Sequence, residues 1–579
     1  MKKSLPIEHV TICSNNIFTI RILSFHLGQH VYSCLFLYLC AFKTKMKLPP
    51  EILYWLGIFA IMMIGAVSCE QRERHRWSVM LLTLGGFFVY LAAARLMPYL
   101  NPWDELFHAQ VAKNCMEHPF APMLYDSNIV PNHNYGIWTC SHIWLHKQPL
   151  FIWQIALSFK IFGVSELSLR LPSVILCTLM IPLCYRMAFL LTQRRDTAFF
   201  TALCAACSWF LFRLTSGIQS TDHNDVSFIF YITASIWAFC EYIHNDRKAG
   251  WAALVGILAG AAVLTKWLTG LLVFGVWGLY LLTEHKFYIK DWKFKHLLLA
   301  FFVMLLIALP WQLYILQRFP EMAQQELLYN FKHINEDVEA HSGSIWYYLI
   351  ILPMQYFGEG FYLYKGHFVW NFHTIICYLV LLSGLLLTLK NFKRNSHRIT
   401  LIGTVLVVFI FFSLAKTKMQ AFTFITCFAG FLSIASLLSE IAKLLTWHAK
   451  RPSVKVGILA VGCFFFCMYH LNYPNFYKTI LPSTFAREVQ NKRTYLQWKE
   501  KLPENCYIFN VKSPSQKYDD FTSCIGATFY SERQCYSDQI SLKDMEEVKK
   551  AGKEIAVVRN QWCLEEWQRD STIIWLDIE

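Results

Sequence analysis

Long apolar stretches separated by short basic connections dominate this chain. A bilayer core takes roughly 20 apolar residues per helix. Stretches of that kind lie at residues 51–69, 77–97, 168–192, 197–217, 224–243, 250–268, 270–284, 297–316, 368–390, 399–415, 421–443 and 454–472. The one at 270–284 is short. Two further segments fit less well. Residues 18–42 are apolar but broken by Arg21, His26 and His30. Residues 345–358 are short and aromatic, as in a segment lying in the interface. The pattern predicts a polytopic α-helical membrane protein.

Basic clusters orient the spans. They are Arg72-Glu73-Arg74-His75-Arg76, Arg194-Arg195, Arg247-Lys248, Lys286 to Lys295, Lys390 to Arg398 and Lys450 to Lys455. Each falls in an alternate connection, so all can share the cytoplasmic side. That places residues 98–167, 218–223, 317–367, 416–420 and the tail after 472 outside. Residues 1–50 fit no domain. Lys43, Lys45 and Lys47 would fall outside if 18–42 spans, and Met46 is an alternative start. No cleavable signal peptide is evident.

From about residue 483 the pattern changes. Cys506-Tyr507-Ile508-Phe509-Asn510-Val511 and Glu554-Ile555-Ala556-Val557-Val558 read as short buried strands, and 541–551 as a helix with charged faces that ends at Gly552. The expected organisation is a membrane domain over 51–475 and a small extracytoplasmic α/β domain over 483–579.

Composition sharpens this picture. The 579 residues are 55% hydrophobic and 16% charged, where a soluble domain is about a quarter charged. The net charge of +14 comes from 53 basic and 39 acidic residues. It sits in short connections and forms no block or stripe, which argues for lipid contact and against a nucleic-acid partner. The 19 cysteines show no zinc-type spacing. Cys506, Cys524, Cys535 and Cys563 fall in the tail, where an outside location permits a disulfide.

Several polar groups sit where lipid would not favour them. Asp104 and Glu105 follow a span directly. Adjacent carboxylates there can do acid/base work or hold a divalent cation; they also suit a helix N-terminus. Lys147 and Arg170 are cations at the same interface, able to bind phosphate or to reach lipid headgroups. The short loop Gln219 to Asp225 carries Asp222, His223 and Asp225. Lys266 ends its span on this side. Residues 317–345 carry Glu326, His333, Asn335, Glu336, Asp337, Glu339 and His341, and Lys416-Thr417-Lys418 closes another span. Carboxylates and cations from several outer loops on one side form a layout for handling a phosphate-bearing lipid.

These residues also carry a resemblance. Asp104-Glu105, Lys147-x-Pro149-Leu150, Phe162-Gly163-Val164-Ser165-Glu166 and Arg170-Leu171-Pro172-Ser173 resemble the first outer loop of GT-C glycosyltransferases. Within that group they resemble the bacterial aminoarabinose transferases of lipid A and the protein O-mannosyltransferases. Leu264-Thr265-Lys266 resembles the LTKG segment, with Trp267 in place of Gly. Ser413 to Lys418 resembles SLxKTKLPHY, and Asp222 or Asp225 matches an acidic residue of the second outer loop. The resemblance covers residues 77–440. It departs at His146, where the relatives carry an acid, at Gln148, and at Met419-Gln420-Ala421-Phe422.

The resemblance implies a GT-C-like bundle of roughly 11–13 spans and a polyprenyl-phosphate-linked sugar donor. The acceptor would be a lipid of the lipid A type or a protein, and the protein would sit in the cytoplasmic (inner) membrane. It implies catalytic carboxylates at Asp104 with Glu105, and at Asp222 or Asp225. It implies phosphate contacts from Lys147, Arg170, Lys266, Lys416 and Lys418. The expected chemistry is inverting transfer: a carboxylate takes the acceptor's proton and cations stabilise the leaving phosphate. A transporter or flippase of lipid-linked sugars is the alternative, but its charges would lie near the midplane and its halves would repeat. An oligosaccharide-polymerising ligase would share the topology.

Overall fold

A computed structural model describes residues 8–12, 18–22, 50–125, 129–130, 138–139, 141–219, 222–246, 248–284, 291–338, 341–358, 362–364, 367–369, 372–392, 394–446, 462, 482–511, 521–537, 541–559 and 570–577. Ten helical stretches among them are long and apolar enough to cross a membrane. They are built from α1 (Pro50–Gln71), α2 (His75–Ala94), α5 (Glu166–Thr192), α6 and α7 (Arg195–Ala206 and Trp209–Thr215), α8 (Asp222–His244), α9 and α10 (Ala249–Lys266 and Leu272–Thr283), α11 (Trp292–Arg318), α15 (Phe372–Asn391), α16 (Asn395–Leu414) and α17 (Cys427–Thr446). Between them lie α3 (Asp104–Cys115), α4 (Pro149–Phe162), α12 (Pro320–Asn335), α13 (Tyr347–Ile350) and α14 (Leu352–Phe357).

The expected spans map onto these helices with physical differences. The stretch at 197–217 breaks at Ser208, whose side chain accepts from Leu211 N and starts a new helix. The stretches at 250–268 and 270–284 meet in a 3-10 turn over Trp267–Leu271, where the chain folds back: Lys266 lies on the wall of a cavity, while Tyr242 and His296, which flank the two stretches, are 3.2 Å apart at the other end. Residues 345–358 make two short helices instead of a span. Residues 368–390 start as the second strand of a hairpin, β3 (Tyr362–Tyr364) with β4 (His367–Val369), before α15 begins at Phe372. At the start of the chain, β1 (Glu8–Ile12) pairs antiparallel with β2 (Phe18–Ile22), so the segment 18–42 opens as a strand. The remainder of 18–42, and 454–472 apart from residue 462, lie outside the described residues.

Contacts between connections sort the bundle into two ends. Arg186 pairs with Glu241 at 2.5 Å, Arg194 with Asp196 and Glu440 at 2.6 Å each, and Lys293 with Glu284 at 2.7 Å. His397 Nδ1 lies 3.0 Å from Leu191 O, and the Tyr242 hydroxyl near the end of α8 lies 3.2 Å from His296 Nδ1 near the start of α11. Connections after α5, α8, α10, α15 and α17 therefore gather at one end, as the alternation of basic clusters predicts. Helix contact inside the bundle uses small residues, because lipid offers no hydrophobic drive to bring helices together. Gly256 and Gly260, four residues apart on α9, face α11: a Cβ on Gly256 would come within 2.3 Å of Ala300 O, and one on Gly260 within 2.7 Å of Ile307 Cβ.

The tail forms four parallel strands, β5 (Cys506–Phe509), β6 (Gln534–Cys535), β7 (Glu554–Val558) and β8 (Ile574–Leu576), in the order β6-β5-β7-β8. Parallel strands need crossovers; α19 (Phe521–Ser531) links β5 to β6, and α20 (Leu542–Lys550) links β6 to β7. Ser541 caps α20, and Gly552, at φ +71°, ends it. A further helix, α18 (Pro482–Lys501), leads into the sheet. Cys506, Cys524 and Cys535 are buried unbridged thiols, and Cys563 lies outside the described residues.

This unit packs on the segment between α2 and α5. The Tyr530 hydroxyl lies 2.9 Å from Glu166 Oε1 and accepts from Leu100 N, also at 2.9 Å; Lys492 pairs with Glu166 too. Tyr125 stacks on Tyr536 at 5.6 Å. The two share one apolar core that includes Phe107, Phe159, Phe529 and Tyr536.

Substituting Gly256 and Gly260 together by Val should push α9 from α11 and cost on the order of 1–3 kcal/mol per site, as overpacking does. Thermal unfolding of the detergent-solubilised variant reads this as a lowered melting temperature. A native melting temperature would show that the glycines do not set this contact.

Candidate active site

The segment after α2 turns at Pro102 and enters α3 at Asp104. Two acids in the first turn complement the N-terminal end of the helix dipole. Successive residues of a helix point about 100° apart, so the two carboxylates take different surroundings. Asp104 lines a cavity. Glu105 is fully buried and faces Arg170 of α5. Arg170 Nε donates to Glu105 Oε1 at 2.6 Å and Nη2 to Oε2 at 3.0 Å. The same guanidinium donates to the carbonyls of Ala94, Met97 and Tyr99 at 2.8–3.1 Å, and Asn101 N donates to Glu105 Oε2 at 2.6 Å. Gly217, at φ +75°, lies against this pair; a Cβ there would come within 2.5 Å of both side chains. Asn101 Nδ2 donates to Gly217 O at 2.9 Å.

The cavity holds about 560 Å³. Asp104, Lys147, Lys266 and Lys418 all lie on its wall, so three separated parts of the chain bring their charges to one space. Lys147 precedes α4. Its Nζ lies 3.0 Å from His146 Nε2, and His146 Nδ1 lies 3.2 Å from Glu326 Oε2 on α12. Trp138 stacks on the imidazole at 4.4 Å. For the Lys147 ammonium to donate to Nε2, the imidazole proton must sit on Nδ1, directed at Glu326. Burial lifts the Glu326 carboxyl to about 7, while Lys147 and His333 pull it down. His146 stands where the resemblance leads one to expect an acid, and Glu326 supplies a carboxylate beside it from another part of the chain. Behind Asp104, burial lowers His108 to about 4, with the Asp104 charge opposing, so this imidazole is neutral at pH 7.

The remaining site residues expected from sequence take distinct places. Asp225 is buried and ion-paired to Lys266, whose ammonium lies 4.7 Å from the Phe422 ring centroid. Asp222 starts α8; its side chain lies outside the described residues. Lys418 reaches the cavity wall, but its ammonium donates to the carbonyls of Phe412 at 2.9 Å, Ser413 at 2.7 Å and Ala415, closing the end of α16. Lys416 is exposed and is not on the wall. Glu105 and Arg170 are not brought to the cavity. With Glu105 held by Arg170, the two neighbouring acids do not converge on one cation, and no group of three or more His, Cys, Asp or Glu among the described residues is placed to hold a metal ion.

Sequence reasoning did not assign Trp103, Trp138, Asn224, Trp267 or Tyr347 to this wall, and all of them line it. Trp267 carried a signal, since it departs from the LTKG segment that Leu264-Thr265-Lys266 otherwise resembles. The wall is also apolar along α12, where Leu327, Phe331 and Ile334 line the cavity and remain 38%, 46% and 42% exposed. One space thus joins a carboxylate, ammonium groups and an apolar flank.

The chain is similar to known proteins over parts of its length. Residues 146–314 match the family described as dolichyl-phosphate-mannose-protein mannosyltransferase. An undecaprenyl phosphate-alpha-4-amino-4-deoxy-L-arabinose arabinosyl transferase from Yersinia pestis is 26% identical over 54% of this chain and 53% of its own length. An uncharacterized protein from Aquifex aeolicus is 32% identical over 28% of this chain and 29% of its own length. The chain thus spans about half the length, or less, of these curated relatives. Among solved structures, ArnT from Cupriavidus metallidurans bound to undecaprenyl phosphate aligns with a TM-score of 0.59 at 16% identity, covering 81% of this chain and 88% of that one. The fold is shared with that protein.

Replacing Arg170 by Ala strands the Glu105 charge in a dry site. Removing one partner of a buried ion pair costs about 3–5 kcal/mol. Arg170→Ala should therefore lower the melting temperature in detergent, while Lys416→Ala, at an exposed position, should not. A native melting temperature for Arg170→Ala would contradict the structural role of the pair.

Proposed function

We propose that this chain is a polytopic membrane glycosyltransferase of the GT-C type, whose cavity transfers a sugar from a polyprenyl-phosphate carrier to an acceptor outside the cytoplasm. The acceptor is a hydroxyl or phosphate of a lipid A-type lipid or of a protein. One observation carries the reading: Asp104, Lys147 and Lys266 share a cavity with an apolar flank at the bundle end away from the basic connections. A lipid-linked phosphosugar needs those features together. The positive-inside bias puts the basic end in the cytoplasm and the cavity on the outer side of the cytoplasmic membrane. Charges gathered at one end, not near the midplane, favour transfer over transport.

The chemistry follows from the wall. The isoprenoid lies along Leu327, Phe331 and Ile334, which already face away from the protein core. Lys147 meets the phosphate, oriented by His146 and Glu326, and Lys266 adds a second cation held by Asp225. Asp104 takes the proton of an acceptor hydroxyl as its oxygen attacks the anomeric carbon. The new C–O bond forms as the bond to the phosphate oxygen breaks. The electron pair leaves on the polyprenyl phosphate, where the ammonium groups stabilise the growing charge. Glu105 and Arg170 act by fixing the start of α3, and so the position of Asp104.

Asp104→Asn keeps size and hydrogen-bonding capacity but cannot take a proton at neutral pH. It should slow transfer by about 10² to 10⁴, the usual range for a lost general base, with melting temperature and donor binding near native. A reconstituted assay with undecaprenyl-phosphate-linked sugar checks this. Near-native turnover would remove Asp104 as the base and direct attention to Asp222.

A further inference from the structure

Two polar atoms on the cavity wall have no hydrogen-bond partner among the described residues: the indole Nε1 of Trp267 and the amide Oδ1 of Asn224. Asn224 is only 2% exposed, so its amide oxygen is deprived of both solvent and protein partners. Buried polar groups in folded proteins are nearly always satisfied, and each exception calls for an explanation. One of these atoms is a donor and the other an acceptor. They sit next to the two members of one ion pair. Asn224 precedes Asp225, Trp267 follows Lys266, and Asp225 and Lys266 are joined. The pair thus fixes both orphan groups on the wall that also carries the second ammonium.

The backbone gives an independent sign. Trp267 stands at φ +54° and ψ −150°, a conformation that favours glycine because a Cβ crowds the backbone there. The other positive-φ non-glycine residues among the described ones are Glu73, Gln193, Asp246, Asn510 and Glu532, all polar. Trp267 is the aromatic exception, and it faces the cavity. The strain cannot relax by sliding the turn, because Gly270 already packs its Cα face onto the backbone of Ala262 and Val263, where a Cβ would come within 2.4 Å of Val263 N. Strained backbone persists where surrounding structure enforces it, and such residues cluster at ligand sites. A large ring at a glycine-type position, carrying an unsatisfied N–H, incurs two costs that a simple packing role would avoid.

We propose that Trp267 and Asn224 recognise the sugar of the lipid-linked donor, an inference that rests on the transferase reading above. The indole presents a flat, electron-rich face to the C–H face of a pyranose, and its N–H donates to a ring or hydroxyl oxygen. Asn224 Oδ1 accepts from a second hydroxyl. Lys266, between them along the ion pair, faces the phosphate that the same sugar carries. Trp267 thereby sets which sugar fits, while Asp104 and Lys147 act on the anomeric carbon and its leaving group.

The test compares undecaprenyl phosphate alone with undecaprenyl phosphate carrying one pyranose, either 4-amino-4-deoxy-L-arabinose or mannose. Affinities are measured by microscale thermophoresis on the full chain in detergent, with the native protein, Trp267→Gly, Trp267→Phe and Asn224→Ala. The native protein should bind the better of the sugar-bearing lipids more tightly than the bare one. Trp267→Gly should cancel that preference, by about tenfold or more, and leave affinity for bare undecaprenyl phosphate unchanged. Its melting temperature should equal or exceed the native value, because glycine relieves the backbone. Trp267→Phe, which keeps a ring but loses the N–H, and Asn224→Ala should each lose part of the preference. A native protein without a preference for the sugar, a preference retained in Trp267→Gly, or equal loss of affinity for both lipids in that variant would overturn the inference. Failure of the native protein to bind either lipid would instead overturn the transferase reading itself.

Discussion

The buried pair of Glu105 and Arg170 is the constraint on which the site depends. Charges out of water are costly unless their hydrogen-bonding capacity is filled, and here it is filled from several directions. Arg170 belongs to α5, its carbonyl partners belong to the end of α2 and the turn after it, and Glu105 belongs to the first turn of α3. One guanidinium therefore ties two membrane helices to the helix that carries Asp104. Gly217 leaves the room for this, since any Cβ at its position would strike both side chains. Because Glu105 is committed to structure, Asp104, one residue earlier and rotated about 100° around the helix, turns to the cavity.

The other charges follow the same logic of mutual restraint. Asp225 holds Lys266, Glu326 restrains His146 and through it Lys147, and Lys418 is spent on the carbonyl end of α16. What remains on the wall is a carboxylate, two oriented ammonium groups and an apolar flank. The tail unit adds to this from outside the bundle. Its Tyr530 and Lys492 meet Glu166 at the start of α5, four residues before Arg170. A soluble-type α/β unit thus braces the loop that builds the site.

Much of this was legible in the sequence, and for identifiable reasons. Apolar length marks spans, and the alternation of basic clusters sorts the connections into two ends that the ion pairs at 186–241 and 194–440 reproduce. The strands at 506–509 and 554–558 and the helix closed by Gly552 were visible because period and cap residues are local signals. The partition of charges was not. Nothing in Asp104-Glu105 says which acid meets an arginine 65 residues away, and Arg170 reads from sequence as a phosphate ligand or a cation reaching lipid headgroups, not as the buried partner of Glu105. Lys416 and Lys418 look equivalent until one turns onto carbonyls and the other onto solvent. The break within a span at Ser208 also escaped, because hydrophobicity does not report where a helix stops inside the membrane. Trp267 did leave a trace, as a departure from glycine whose meaning needed the backbone angle.

The central claim is that the cavity bearing Asp104, Lys147 and Lys266 receives a polyprenyl phosphate. Photocrosslinking tests it most directly: the protein is irradiated with undecaprenyl phosphate carrying a diazirine near the phosphate, and the labelled peptides are mapped by mass spectrometry. The account predicts labels on the segments around residues 146–148, 265–269 and 327–334, competed away by unlabelled undecaprenyl phosphate. Labels confined to the basic end of the bundle or to its lipid-facing perimeter, unaffected by competition, would contradict it.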